Sequence, residues 1–174
     1  TAVHGLRQLA TSVVLDPDGR IVIAGTRDQS AMVLRLLPDG SVDDAFGASG
    51  LAIGPSNLDF SSDGSGARTS IIRVADGGYR LTASNPTGCQ LFALTANGAI
   101  ESGFGGSGIV TAWPAGEAST HCNALAAQSD GALLAAGESA GQGFVARVLA
   151  SGQPDPGFLA TDVAGVLSDA TAIA

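Results

Sequence analysis

The chain has 174 residues, 45% of them apolar and only 14% charged, a composition too hydrophobic for disorder. Its net charge is −8, from 8 basic and 16 acidic residues, and every basic residue is arginine. Nucleic acids and anionic membrane surfaces both need a basic face, so neither is an expected partner, and no apolar run approaches the roughly 20 residues of a membrane span, so membrane insertion is not expected either.

In chain order, the first segments are TSVVL (11–15), IVIAGT (21–26), MVLRLL (32–37) and GLAI (50–53). Each is short and bounded by Pro, Asp or Gly, the pattern of strands joined by turns. Their apolar character is nearly continuous, which predicts strands covered on both faces. No segment keeps a helical period; SVDDAFG (41–47) allows one short turn.

Further along, the pattern returns. LDPDGRIVIAGT (15–26), VADGGYRLTAS (74–84) and AQSDGALLAAGE (127–138) each run from a polar turn into an apolar segment. Their turn glycines Gly19, Gly77 and Gly131 are 58 and 54 residues apart. A second block, MVLRLLPDGSVDDAFGASGLAI (32–53), QLFALTANGAIESGFGGSGIVT (90–111) and FVARVLASGQPDPGFLATDVAG (144–165), repeats the same steps at Gly40, Gly98 and Gly152, and at Phe46, Phe104 and Phe158. The chain is therefore read as three copies of one unit. Its two ends, TAVHGLRQLATSVV (1–14) and TDVAGVLSDATAIA (161–174), also match each other. The expected organisation is the end of a preceding unit at 1–10, repeats at 11–67, 68–120 and 121–169, and the start of a following unit at 170–174.

A unit of this length with four strands has the size of a propeller blade. The expected fold is all-β: three tandem four-stranded blades of a β-propeller. A β-solenoid, whose coils are shorter, is the runner-up, and a sandwich is third. Three blades are fewer than the roughly four to eight of a closed ring. Completion is expected from further repeats of a longer chain or from oligomerisation, for instance two chains making six blades.

Asp-Pro-Asp-Gly-Arg-Ile-Val-Ile-Ala-Gly (16–25), followed by Val-Leu-Arg-Leu-Leu-Pro-Asp-Gly-Ser-Val-Asp-Asp-Ala-Phe-Gly (33–47), resembles the bacterial delta-60 repeat, a β-propeller-type repeat. Repeat two departs at Ala93, which stands where Arg35 and Arg147 stand in the others, and repeat three lacks the glycine after Phe158. The resemblance implies tandem blades in large exported or surface proteins of bacteria, with an extracellular, periplasmic or cell-surface location. It implies no catalytic residues.

Several stretches look like chemistry. GESAG (137–141) fits the G-x-S-x-G pattern of serine esterases. Its counterparts GTRDQ (25–29) and ASNPT (83–87) have no serine at that place, a strand follows in place of a helix, and both histidines, His4 and His121, precede Ser139. Ser139 is expected to be a solvent-facing turn residue. GFGGSG (103–108) matches a dinucleotide fingerprint but leads into a strand, so no nucleotide cofactor is expected. DPDG (16–19) and DGSVDDAFG (39–47) have the acidic look of calcium loops, yet only Asp18, Asp76 and Asp130 persist among the copies, each before glycine, which is turn chemistry. No metal or other cofactor is expected. Arg35 and Arg147 are expected to pair with carboxylates of adjacent blades. Cys89 and Cys122 are read either as one disulfide in an exported chain or as two buried thiols. Trp113, Phe60 and His121, on or beside the most variable inter-repeat loops, are the candidate ligand-binding residues; for Trp113 the competing reading is a cap on the core between blades.

The leading expectation is a non-enzymatic scaffold or interaction module with a protein or glycan ligand. A self-assembling structural piece and a hydrolase using Ser139 are the alternatives.

Overall fold

The computed structural model describes residues 8–56, 69–85, 88–114, 120–155, 157–158 and 161–162. These form three antiparallel sheets. The first contains β1 (Gln8–Leu15), β2 (Ile21–Arg27), β3 (Ser30–Leu36) and β4 (Leu51–Ile53). The second contains β5 (Ile71–Arg73), β6 (Tyr79–Asn85), β7 (Gly88–Leu94) and β8 (Ile109–Pro114). The third contains β9 (Thr120–Ala127), β10 (Leu133–Ser139), β11 (Gln142–Val148) and β12 (Thr161–Asp162). Strands follow one another in spatial order within each sheet, so every sheet is a simple meander. First strands neighbour one another, β1 with β5 and β5 with β9, as strands nearest a propeller axis do. The sheets are three consecutive propeller blades. Among the described residues no helix is long and apolar enough to cross a membrane.

The turn that opens each unit is built by its aspartate. Asp76 and Asp130 accept hydrogen bonds from the backbone N–H two residues on, Gly78 at 2.7 Å and Ala132 at 2.9 Å, and Asp18 does so from Arg20 at 3.2 Å. This local bonding is why aspartate recurs there while the neighbouring acidic positions vary. The backbone bonds Asp16 N–H to Arg20, Val74 N–H to Gly78 and Gln128 N–H to Ala132 fix the repeat alignment. Asp16 thus corresponds to Val74 and Gln128.

Two cores lie between the blades. The back face of blade one (Val22, Ala24, Val33, Phe46) packs on the front face of blade two (Ile71, Tyr79, Leu81, Phe92, Leu94). The back face of blade two (Leu91, Ala93, Phe104) packs on the front face of blade three (Leu125, Leu133, Ala135, Ala146, Val148). Blade two is covered on both sides, and β6 is buried along its whole length. That is the continuous apolar pattern expected of a strand with no solvent face.

Cys89 of β7 and Cys122 of β9 form a disulfide across the second seam, with Cα atoms 5.3 Å apart. At the first seam the Thr11 hydroxyl meets the Thr69 hydroxyl at 2.6 Å, and Ile71 N–H donates to Ser12 Oγ at 3.3 Å.

Candidate functional site: the charged seam between blades one and two

Each blade places an arginine against a carboxylate three residues before its conserved phenylalanine. In blade one, Arg35 Nε donates to Asp43 Oδ2 at 2.9 Å, with both side chains buried, and the guanidinium carbon lies 4.5 Å from the Phe46 ring centroid. In blade three, Arg147 Nη1 donates to Asp155 Oδ2 at 2.8 Å, and Arg147 also pairs with Asp130. These carboxylates belong to the arginine's own blade, which corrects the expected pairing with adjacent blades. The reason is the sharp turn after β3 and β11: Asp43 N–H and Asp155 N–H each bond the carbonyl of the arginine they serve, Arg35 and Arg147. What crosses to the next blade is a hydrogen bond from Arg35 Nη1 to the Ala96 carbonyl, at 2.6 Å.

Blade two reaches the same arrangement from another strand. Val22 faces Arg35 across β2 and β3, and Leu134 faces Arg147 across β10 and β11. In blade two the pair is reversed: Arg80 on β6 faces Ala93 on β7. Arg80 Nη1 lies 2.9 Å from Glu101 Oε2 and its guanidinium carbon 5.2 Å from the Phe104 centroid. The arginine missing at Ala93 is supplied by its cross-strand partner, and position-by-position comparison of the repeats had no signal for it.

One polar set does not repeat. Asp16 of blade one accepts a 2.6 Å hydrogen bond from the Tyr79 hydroxyl of blade two, and lies 3.1 Å from Arg73 Nε in an ion pair. At the second seam the corresponding residues are Val74, against Leu133 in an apolar core, with Ala127 in place of Arg73. Three positions thus become polar together at the first seam. Burial, followed by the hydrogen bond to Asp16, pushes the Tyr79 hydroxyl pKa up to about 12. For Asp43, burial acts to raise the pKa but is outweighed by the Ala45 N–H and the guanidinium groups of Arg35 and Arg20, which hold it below the usual carboxylate value. Asp16, Arg20, Arg35, Arg73, Tyr79 and Asn97 border a cavity of about 300 Å³ at the rim of this seam. The Asp16 Oδ1 atom there is buried, and its partner is the Arg73 guanidinium of the ion pair.

The esterase-like stretch has a blade-building explanation. Gly137 lies opposite a β-bulge in β9, and a Cβ on it would stand 1.9 Å from the His121 carbonyl oxygen. Ala140 and Gly141 both have positive φ, the two-residue turn that joins β10 to β11. Ser139 is the half-buried last residue of β10, and its Oγ lies 2.9 Å from the Thr120 hydroxyl, which corrects the expectation of a solvent-facing turn residue. Ser139 pairs with Thr120, and His121 pairs with the neighbouring Glu138. Adjacent strand residues point to opposite faces, so Ser139 and His121 lie on different sides of the sheet.

Trp113 stacks on Phe144 of blade three, with centroids 4.7 Å apart and planes 14° from parallel, and packs against the second core. His121 is half-buried on β9. Phe60 lies outside the described residues. The structure does not bring Trp113 and His121 to the charged seam; of its members, Asp16 falls in the calcium-like DPDG stretch, whereas Arg73 and Tyr79 belong to no motif read from the sequence. The Asp16–Tyr79 contact joins residues 63 positions apart, which no local spacing reports.

The fold and the repeated arginine–carboxylate–phenylalanine unit define a β-propeller-type repeat domain. A family model described as "Domain of unknown function (DUF5122) beta-propeller" matches residues 17–46 and 128–158. Those residues lie in blades one and three; the blade with the displaced arginine is outside the match. Among solved structures, the chain is similar to virginiamycin B lyase from Staphylococcus aureus at 12% identity, with a TM-score of 0.51 over 87% of this chain. It spans 44% of the length of that protein, and at this identity the likeness concerns the fold alone. No curated protein matches the sequence.

Proposed function

We propose that this chain is a non-enzymatic interaction module, of the delta-60 type, from an exported or cell-surface bacterial protein. The observation that carries the reading is the commitment of the recurring charged groups to blade construction, while one non-repeating polar set, Asp16, Arg73 and Tyr79, borders a cavity at a seam. The Cys89–Cys122 disulfide supports an oxidising compartment.

The partner is proposed to be a protein or glycan that supplies hydrogen-bond acceptors to the partly exposed seam arginines Arg20 and Arg73. Glycan-array and pull-down binding with the chain tests this. Binding retained by Ser139→Ala and weakened at least tenfold by Arg73→Ala supports it. Covalent labelling by a fluorophosphonate probe that disappears in Ser139→Ala would replace it with the hydrolase reading.

A further inference from the structure

The carboxylates of the charged seam are all committed to the seam itself. Asp16 Oδ2 accepts from the Tyr79 hydroxyl at 2.6 Å, and its Oδ1 lies 3.1 Å from Arg73 Nε. Asp18 Oδ1 accepts from the Arg20 N–H at 3.2 Å, and its Oδ2 pairs with Arg20 Nη1. Asp43 Oδ1 accepts from the Ala45 N–H at 3.2 Å, and its Oδ2 lies 2.9 Å from Arg35 Nε and 3.1 Å from Arg20 Nε. Each oxygen of the three acids has a partner.

The guanidinium groups are not used up in the same way. Arg35 is buried and gives Nη1 to the Ala96 carbonyl. Arg73 is paired with Asp16 through Nε, and its two terminal nitrogens make no hydrogen bond among the described residues. They lie by the glycine turn of blade two: a Cβ on Gly77 would stand 3.2 Å from Arg73 Nη2. Arg20 likewise keeps Nη2 out of any hydrogen bond among the described residues. The side chains of Arg73 and Arg20 are 33% and 38% exposed, and both border the cavity of about 300 Å³. What the seam has left over is donor capacity, in planar charged forks.

The rest of the lining narrows the ligand. Pro17, Gly77 and Ala96 supply walls without polar side-chain atoms. Tyr79 is 1% exposed and offers no ring face on which a sugar could stack. With the carboxylates committed, Asn97 is the lining side chain still able to accept a hydrogen bond, too little for the several hydroxyl donors of a sugar ring. A carboxylate on a methylene stem needs a donor fork for its head and apolar walls for its stem, and finds both.

We propose that this cavity takes the side-chain carboxylate of an aspartate or glutamate in an acidic peptide segment of a partner protein, gripped by the Arg73 fork with Arg20 beside it. The proposal rests on the interaction-module reading and names the partner for it. Three guanidinium groups stand against three carboxylates at the site, so an added monoanion meets no local excess of negative charge. At the second seam Val74, Leu133 and Ala127 occupy the matching positions and offer no such donors, so one peptide binds per chain.

Isothermal titration of the 174-residue chain with N-acetyl hexaglutamate amide tests it, at physiological ionic strength, where the chain's net charge of −8 is screened at long range. The expected result is one peptide per chain and no binding of the hexaglutamine counterpart. Arg73→Gln should weaken binding roughly tenfold or more, and Arg73→Lys, which keeps the charge without the fork, should also weaken it. Arg27→Gln, whose arginine pairs with Asp28 outside the cavity, should leave it unchanged. Absence of binding, or binding indifferent to both Arg73 variants, overturns the proposal. Tighter, Arg73-dependent binding of oligogalacturonate overturns the peptide assignment while the interaction-module reading stands. Failure of every ligand in the array and the pull-down would remove that reading as well.

Discussion

Arg80 and Ala93 face each other across β6 and β7 in the register where Val22 and Arg35 face each other across β2 and β3. The guanidinium occupies the same site in both blades, over the conserved phenylalanine and against the carboxylate three residues before it. What the repeat conserves is the position of a charge in space, not the strand that bears it. Arg80→Leu should therefore cost about 1–2 kcal/mol by removing the partner of the part-exposed Glu101. Adding Ala93→Arg should recover at least half of that loss. Urea unfolding of the single and double variants measures both, and no recovery would show that the two sites are not interchangeable.

Tyr79 is the only tyrosine of the chain, so its ionisation can be followed directly by phenolate absorbance. In the folded protein it should titrate near 12, and in denaturant near the ordinary value of about 10. Because the folded value is the higher, the stabilisation is complete below the unfolded pKa and is lost as pH rises through the folded one. Unfolding free energy should fall with pH across that alkaline window. Tyr79→Phe should remove the slope.

The acid end has the opposite sign. Asp43 is held below the ordinary carboxylate value, so its contribution is present above that value, roughly 4, and disappears as pH falls through the depressed folded value. Asp43→Asn should flatten the acid limb of the stability profile and lower the plateau at neutral pH.

The disulfide closes a loop between Cys89 and Cys122, 33 residues apart, for which chain-entropy arguments give about 3–4 kcal/mol. Reduction should lower the urea midpoint accordingly. Trp113, the sole tryptophan, stacks on Phe144 across the same seam. Its emission should shift to longer wavelength in the reduced protein at lower urea than in the oxidised one.

Gly137 and Ser139 separate two explanations of one pattern. Gly137→Ala forces a methyl group against the His121 carbonyl and should cost about 2–3 kcal/mol. Ser139→Ala loses one half-buried hydroxyl contact, about 1 kcal/mol. Thermal melts of the two variants give the order, and an equal or larger effect at Ser139 would contradict the blade-building account.

The fold was legible because turn chemistry and core phenylalanines recur at fixed steps: Gly19, Gly77 and Gly131 with Phe46, Phe104 and Phe158 give the period without any structure. Less could be read at the site. Arg80 replaces an arginine that the aligned position lacks, and a comparison of like with like positions has no place for a side chain that arrives from the next strand. Asp16, Arg73 and Tyr79 meet only because two blades stack, and each is unremarkable within its own segment. The half-buried setting of Ser139 arises within blade three, where its partner Thr120 opens the neighbouring strand β9, 19 residues earlier.

The two seams are fastened by different means. Blades two and three share a covalent link, whereas blades one and two are held by packing, hydrogen bonds and the Asp16 contacts alone. Under tension applied to its ends, the oxidised array should therefore open first at the seam between Asp16 and Tyr79, and later between the crosslinked blades.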